Sequence, residues 1–393
     1  MNTQILKRAD ALIESQFTDS GIAGASLLVM QGGDTAYRKC YGKLSLETGE
    51  SMREDAIFRC YSMTKPVTAV AVLLLIEQGK LHLTDEVCWY IPGFANQNVL
   101  QEDGSLIPVH RNVTILDLLT MTAGLVYPDA SFPAGKIMDD AYGEFADKLE
   151  KGTPTTTLEY CNMIGSKPLA FQPGERWLYS TCADVLGGIV EVVSGKSFRE
   201  FLMDEIFRPL DMPDTDFYVP EEKLSRLMGY YQYDDASGKL QPVQWQHLGL
   251  SYMWKQPPAF ESGGAGLVST VEDYSHFASM LLNGGTYKGT RILGRKSIEF
   301  MSANHLTEEQ MKGYDWTALK GYGYGCLVRT MLSPTTAGMY GSVGEFGWDG
   351  WAGCYMMVDP VEDLLMIYVI QKAGGNGERA IHMLRDIVYS ALD

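Results

Sequence analysis

Between Pro66 and Ile76 the chain reads Pro-Val-Thr-Ala-Val-Ala-Val-Leu-Leu-Leu-Ile, eleven residues without a charge. Such a run must be buried. It falls well short of the roughly 18 apolar residues of a membrane span, so it predicts a helix inside the protein. Pro66 suits a first helical turn, where a missing N–H costs little. Gly79 suits the stop just past the last turn. Directly ahead stand Phe58-Arg59-Cys60-Tyr61-Ser62-Met63-Thr64-Lys65. Ser62 is thus placed at the helix N-terminus, with Lys65 three residues on and on the same face. This Ser-x-x-Lys spacing holds a hydroxyl beside an amine, but a capping serine followed by a solvated lysine has the same spacing. What favours chemistry is the position of Lys65 at the buried end of the helix, and partners elsewhere must decide.

The 393 residues suffice for one large domain or two intimately packed ones. A composition of 46% apolar and 21% charged residues is that of a soluble globular enzyme, far from disorder. The net charge of −17 argues against nucleic acid and anionic membrane surfaces as partners. Seven scattered cysteines, with no Cys-x-x-Cys pair, read as reduced thiols of a cytoplasmic protein. Met1 to Ser20 has Ile5, Ala9, Leu12, Ile13 and Phe17 at helical spacing. It lacks the continuous apolar stretch and small-residue cleavage site of a signal peptide, so a cytoplasmic location is expected.

Ala25 to Met30 and Thr35 to Tyr41 are strand candidates joined by Gln31-Gly32-Gly33-Asp34, a hairpin signal. Helices are predicted over Thr114 to Thr122, Ser180 to Gly195, Ser197 to Ile206 and Thr270 to Leu282, with loops from Asp211 to Ala259. Three strands, Tyr322 to Thr330, Trp351 to Val358 and Leu364 to Lys372, precede a last helix from about Asn376 to Leu392. Asp359-Pro360-Val361-Glu362-Asp363 should pair the second and third strands antiparallel. Strands at both ends with helices between them predict an α/β (α+β) fold. Its central antiparallel sheet is built from both termini, flanked by terminal helices, with a mainly helical insertion. The expected division is 1–78 with 290–393 as the sheet domain, and 79–289 as the helical one.

Two further stretches are candidate partners for Ser62. Phe171-Gln172-Pro173-Gly174-Glu175-Arg176-Trp177-Leu178-Tyr179-Ser180 puts Tyr179 in a loop ahead of a helix capped near Ser180 or Thr181. Phe346-Gly347-Trp348-Asp349-Gly350-Trp351-Ala352-Gly353 enters a strand with glycine every third residue, a pattern of close backbone approach or of a tight turn. Taken in order, Ser-x-x-Lys, Tyr-Ser and a late Gly-rich triad resemble the serine β-lactamase and penicillin-binding protein superfamily. The resemblance is nearest to its class C-like branch and the family VIII carboxylesterases within it. Leu118-Leu119-Thr120-Met121-Thr122-Ala123-Gly124-Leu125 and Gly263-Gly264-Ala265-Gly266-Leu267-Val268-Ser269-Thr270 agree with that branch. The resemblance implies the β-lactamase-like fold.

It also implies Ser62 as nucleophile, with Lys65 and Tyr179 as a proton shuttle. The backbone N–H groups of Ser62 and Trp351 would form the oxyanion hole, and Tyr127, Trp348, Asp349 and Gly350 would line the substrate site. Elementary chemistry agrees, because a serine hydroxyl needs a base. Lysine and tyrosine have ordinary pKa values of about 10.4 and 10. An isolated tyrosine is ionised about one part in a thousand at pH 7, a penalty of about 4 kcal/mol. An ammonium beside the phenol oxygen offsets that penalty.

The chain departs from the lactamase pattern in two motifs. Trp348-Asp349-Gly350 stands where lactamases carry Lys-Thr-Gly, so the cation for a substrate carboxylate is missing. Tyr179-Ser180-Thr181 stands where they carry Tyr-x-Asn. Losing a charge-assisted hydrogen bond removes about 1.5–3 kcal/mol from an anionic substrate. The expectation is a serine carboxylesterase acting on small neutral esters, short-chain or aromatic, through an acyl-enzyme on Ser62. A β-lactamase or amidase, an acyltransferase and a non-catalytic binding protein are the alternatives. The six histidines show no metal-ligand spacing. No cofactor, metal, nucleic acid or membrane partner is expected, and the oligomeric state is left open.

Overall fold

The structure, a computed structural model, describes residues 1–18, 21–251, 253–314 and 316–392. Strands from the two ends of the chain meet in one sheet. Gly24–Gln31 (β1) and Asp34–Gly42 (β2) form the N-terminal hairpin. Ile57–Arg59 (β3) and Val268–Thr270 (β4) pair separately. Tyr322–Tyr324 (β5), Arg329–Met331 (β6), Phe346–Gly350 (β7), Cys354–Asp359 (β8) and Leu364–Val369 (β9) join the N-terminal hairpin in the large sheet. The sheet runs β5-β6-β7-β8-β9-β1-β2, antiparallel at every pairing.

Strands β8 and β9 are buried along their whole length because alternate residues serve two cores. Tyr355, Met357, Leu364, Met366 and Tyr368 pack with residues of Thr3–Leu6 (α1), Arg8–Glu14 (α2) and the C-terminal helix Glu378–Ser390. Met356, Val358, Leu365, Ile367 and Val369 join the main core on the other face. That core also holds Thr64–Glu77 (α3), buried from Thr64 to Leu75. Gly79 ends α3 at φ +68°, and Gly79 and Lys80 donate back to Ile76 and Leu75 at 3.0 Å. This is the double-bonded stop that a residue in the left-handed region permits. No helix among the described residues is long and apolar enough to cross a membrane.

The middle helices are Ile115–Leu119 (α4), Pro133–Glu150 (α5), Thr157–Gly165 (α6), Cys182–Ser194 (α7), Phe198–Leu202 (α8) and Val271–Leu282 (α9). Thr114, Thr156 and Ser197 each close a capping box.

Several predicted boundaries are corrected. The N-terminal helix is two short ones that break at Lys7 and end at Glu14, and positions 19 and 20 of the predicted span lie outside the described residues. Tyr322 to Thr330 is not one strand but the hairpin β5-β6, which turns at Leu327 with φ +57°. Phe346 to Gly350 does not lead into a strand; it is one, and Gly350–Gly353 turns the chain into β8. Helix α4 stops at Leu119, ahead of Met121 at φ +58°. Helix α7 starts after Thr181, whose hydroxyl makes no capping bond.

Candidate active site

Ser62 lies in the single 3-10 turn Tyr61–Met63 that leads into α3. The turn is entered under strain, because Tyr61 is not glycine and has φ +45°. A residue held there costs about 1–3 kcal/mol and persists only where its surroundings over-determine it. The Tyr61 ring is buried against Trp254, Tyr230 and His247, at centroid distances of 5.4, 5.7 and 5.9 Å. Cys60 just before it donates to the carbonyl of Leu267 at 2.9 Å. The half-buried Ser62 is thus presented by a rigid, caged turn.

Lys65 has no exposed surface. Its ammonium uses its three donors on Ser62 Oγ at 3.1 Å, the Tyr127 hydroxyl at 3.2 Å and the Gly264 carbonyl at 2.8 Å. A buried charge needs such full satisfaction. Below it lies the face of the Tyr179 ring, 4.7 Å from Nζ to centroid. Lys65 and Tyr179 therefore meet by cation–π contact, and the hydroxyl that Lys65 bonds is that of Tyr127.

The oxygen of Tyr179 receives a different donor. Trp348 Nε1–H points to it at 3.1 Å, and the two rings lie 5.5 Å apart. Trp348 is itself buried on β7, edge-on to Tyr324. Trp316 packs on Tyr179 at 4.9 Å and keeps 43% of its surface exposed. Tyr127 stacks obliquely on Tyr179 at 5.6 Å, and burial pushes its hydroxyl well above the usual phenol range. Tyr127 therefore stays protonated at neutral pH.

Gly350 ends β7 against the segment that carries Ser62. A Cβ there would lie 2.3 Å from the Cys60 carbonyl oxygen, so only glycine allows the approach. The next residue, Trp351, begins the turn and stacks its half-exposed ring on His247 at 5.0 Å. Burial lowers His247 to about 4 and leaves it uncharged at neutral pH. Asp349, expected to line the substrate site, instead projects from the face of β7 opposite Trp348 and accepts from Arg329 at 2.5 Å. Strand alternation is the reason, since neighbours on a strand point to opposite faces.

Ser62, Lys65, Tyr127, Tyr179 and Trp348 thus form one linked group, with Gly350 behind it. Sequence reasoning missed two members. The Gly264 carbonyl was foreshadowed only by its glycine-rich surroundings, and no signal pointed to Trp316. Among the described residues no three His, Cys, Asp or Glu side chains converge as metal ligands.

Comparison with known proteins gives this arrangement a context. The family model described as Beta-lactamase matches residues 9–388. An uncharacterized protein of Mycobacterium tuberculosis is 31% identical, covering 90% of this chain and 87% of its own. Esterase EstB of Burkholderia gladioli is 28% identical over 98% of this chain and 95% of its own. The solved structure of EstCE1, described as a hydrolase with promiscuous acyltransferase activity, has a TM-score of 0.80 and 24% identity. It covers 98% of this chain and 99% of the other.

Proposed function

The chain belongs to the Beta-lactamase family, and on that premise we propose that it is a serine hydrolase that cleaves small neutral esters through an acyl-enzyme on Ser62. The observation that carries the ester preference is the indole of Trp348, bonded to Tyr179 in the motif where lactamases present a lysine. A substrate carboxylate finds no ammonium there, and the half-exposed indoles of Trp316 and Trp351 favour apolar or aromatic groups. Esterase EstB, similar along nearly the whole chain, supports the same reading.

In the proposed reaction the Lys65–Tyr179 pair starts with one shared proton, as ammonium with phenolate or amine with phenol, and takes up the proton of Ser62 as its Oγ attacks the ester carbonyl. The negative charge of the phenolate form of Tyr179 is stabilised by the Trp348 N–H and by the ammonium over the ring face. The carbonyl oxygen is held by the backbone N–H groups of Ser62 and Trp351. The alcohol leaves with the shuttled proton, and water then releases the acid by the same steps in reverse order.

The test is a side-by-side panel: p-nitrophenyl butyrate, the matching anilide and a chromogenic cephalosporin, each with wild type and Ser62→Ala. The expected result is a kcat/KM for the ester far above that for the cephalosporin, with every activity lost in Ser62→Ala. Equal or faster cephalosporin turnover overturns the ester preference, and ester turnover by folded Ser62→Ala overturns the nucleophile. The promiscuous acyltransferase activity of EstCE1 motivates a further measurement, ester turnover with an added alcohol as acyl acceptor.

A further inference from the structure

One of the three bonds of Lys65 goes to main chain, the Gly264 carbonyl, and that carbonyl is fixed from behind by a residue the reaction has not yet used. Asp184, in the first turn of α7, is 3% exposed. A first-turn carboxylate ordinarily folds back onto its own helix N-terminus. This one reaches across to another segment. Its Oδ1 accepts from the Ser262 hydroxyl at 2.5 Å and from the Gly264 N–H at 2.9 Å. Ser262 Oγ in turn accepts from the Ala265 N–H at 3.0 Å. A Cβ on Gly264 would sit 2.9 Å from the Asp184 carboxylate, so the acid lies flat against that peptide.

The front of the same loop is tied to α3. Thr68 donates to the Gly263 carbonyl at 2.7 Å, and Thr64 accepts from the Leu267 N–H at 3.1 Å. Gly264 therefore has Asp184 on its N–H and Lys65 on its carbonyl, in the two peptide groups that flank its Cα. We infer that Asp184 is a positioning residue for Lys65: through Ser262 and Gly264 it aims the carbonyl that holds the ammonium beside Ser62, and it supplies that ammonium's buried counter-charge. The inference rests on the reading of Lys65 as part of the catalytic shuttle.

The electrostatic surroundings agree with the geometry. The titratable groups that feel Asp184 are Lys65, Tyr127, Tyr142, Tyr160 and Cys161. Burial holds the three phenols and the thiol in their protonated, neutral forms. Lys65 is the cation of this group among the described residues. Burial raises the Asp184 carboxyl above its ordinary value, a rise that Lys65, the Ser262 hydroxyl and the Gly264 N–H offset only in part. The buried acid and the buried amine are thus bridged by the two polar backbone groups of one residue, Gly264.

The test compares Asp184→Asn, which keeps an acceptor and removes the charge, with Ser262→Ala, which keeps the charge and removes one arm. Three quantities are read on the full chain: kcat and KM for p-nitrophenyl butyrate, and the titration midpoint of Lys65 by NMR of [13Cε]lysine. In Asp184→Asn the Lys65 midpoint is expected to fall by about one pH unit or more, the usual effect of losing an opposite charge nearby. kcat is expected to fall at least tenfold with KM nearly unchanged. In Ser262→Ala kcat should fall by about 2–12-fold, the loss of one neutral hydrogen bond, with the Lys65 midpoint held. A folded Asp184→Asn protein with the wild-type midpoint and kcat overturns the inference, as does a lowered Tm with an unmoved midpoint. If Asp184→Asn does not fold, wild-type kcat in Ser262→Ala overturns the relay. Because the NMR midpoint needs no substrate, failure of the esterase reading would appear separately, as ester turnover retained in Lys65→Ala.

Discussion

Replacing Trp348 with phenylalanine removes one N–H and keeps an aromatic ring against Tyr179. The structure gives that N–H a single partner, the Tyr179 oxygen at 3.1 Å. What the change costs depends on the charge on that oxygen in the transition state. A neutral hydrogen bond contributes about 0.5–1.5 kcal/mol and one to a charged group about 1.5–3 kcal/mol. These convert to losses of about 2–12-fold and about 12–160-fold in kcat/KM. A shuttle that passes through a phenolate requires the larger range. The assay is kcat/KM for p-nitrophenyl butyrate, taken well below Tm because the smaller ring also leaves a cavity. The control is the same substitution in a Tyr179→Phe background, where the acceptor is already gone and the cost should shrink to under about twofold. A loss under about 12-fold in the single variant refutes the phenolate shuttle. An equal loss in both backgrounds makes Trp348 a packing residue.

Lys65→Ala and Tyr179→Phe are each expected to lower kcat at least about a hundredfold, the low end for acid–base groups. Together they should cost far less than the product of the two; fully multiplicative losses would point to a separate base. A pH effect on stability is expected at Asp273, in the first turn of α9, which accepts from the Asp214 N–H at 2.7 Å and the Thr215 hydroxyl at 3.0 Å. Burial raises its carboxyl from 3.8 to about 6. Its folded pKa lies above its unfolded one, so its stabilisation is complete below about pH 4 and is lost as pH rises to about 6. Asp273→Asn should therefore gain stability relative to wild type between pH 4 and pH 8 in urea unfolding, and a gap that stays constant with pH counts against this.

What the sequence disclosed and what it hid divide along one physical line. Helix α3 was readable because a run buried all round needs no partner to identify it. The Ser62–Lys65 pair was readable because three residues along a helix bring side chains together whatever surrounds them. Errors arose where conformation was imposed from outside. The turn between β5 and β6 is carried by Leu327 in the left-handed region, a conformation no residue pattern announces. Gly347 and Gly350 read as sites either of close backbone approach or of a tight turn, and only the structure separates the two: both lie within β7 and are sites of close approach. Their missing Cβ atoms make room for the carbonyls of Met356 and Cys60.

Trp348 shows how far such an error reaches into chemistry. In the motif it stands where a cation would meet substrate, so the indole reads as a substrate surface. The register of β7 buries it and turns its N–H to Tyr179, while Asp349 faces Arg329 on the other side. The substitution that removes a cation for an anionic substrate thus also supplies a neutral donor to the oxygen that carries charge in the proposed shuttle. An ammonium at that position would serve both tasks, whereas an indole serves only the second. That leaves the proposed shuttle with a donor at Tyr179 and the motif without a cation for a substrate carboxylate, the combination that the proposed hydrolysis of neutral esters calls for.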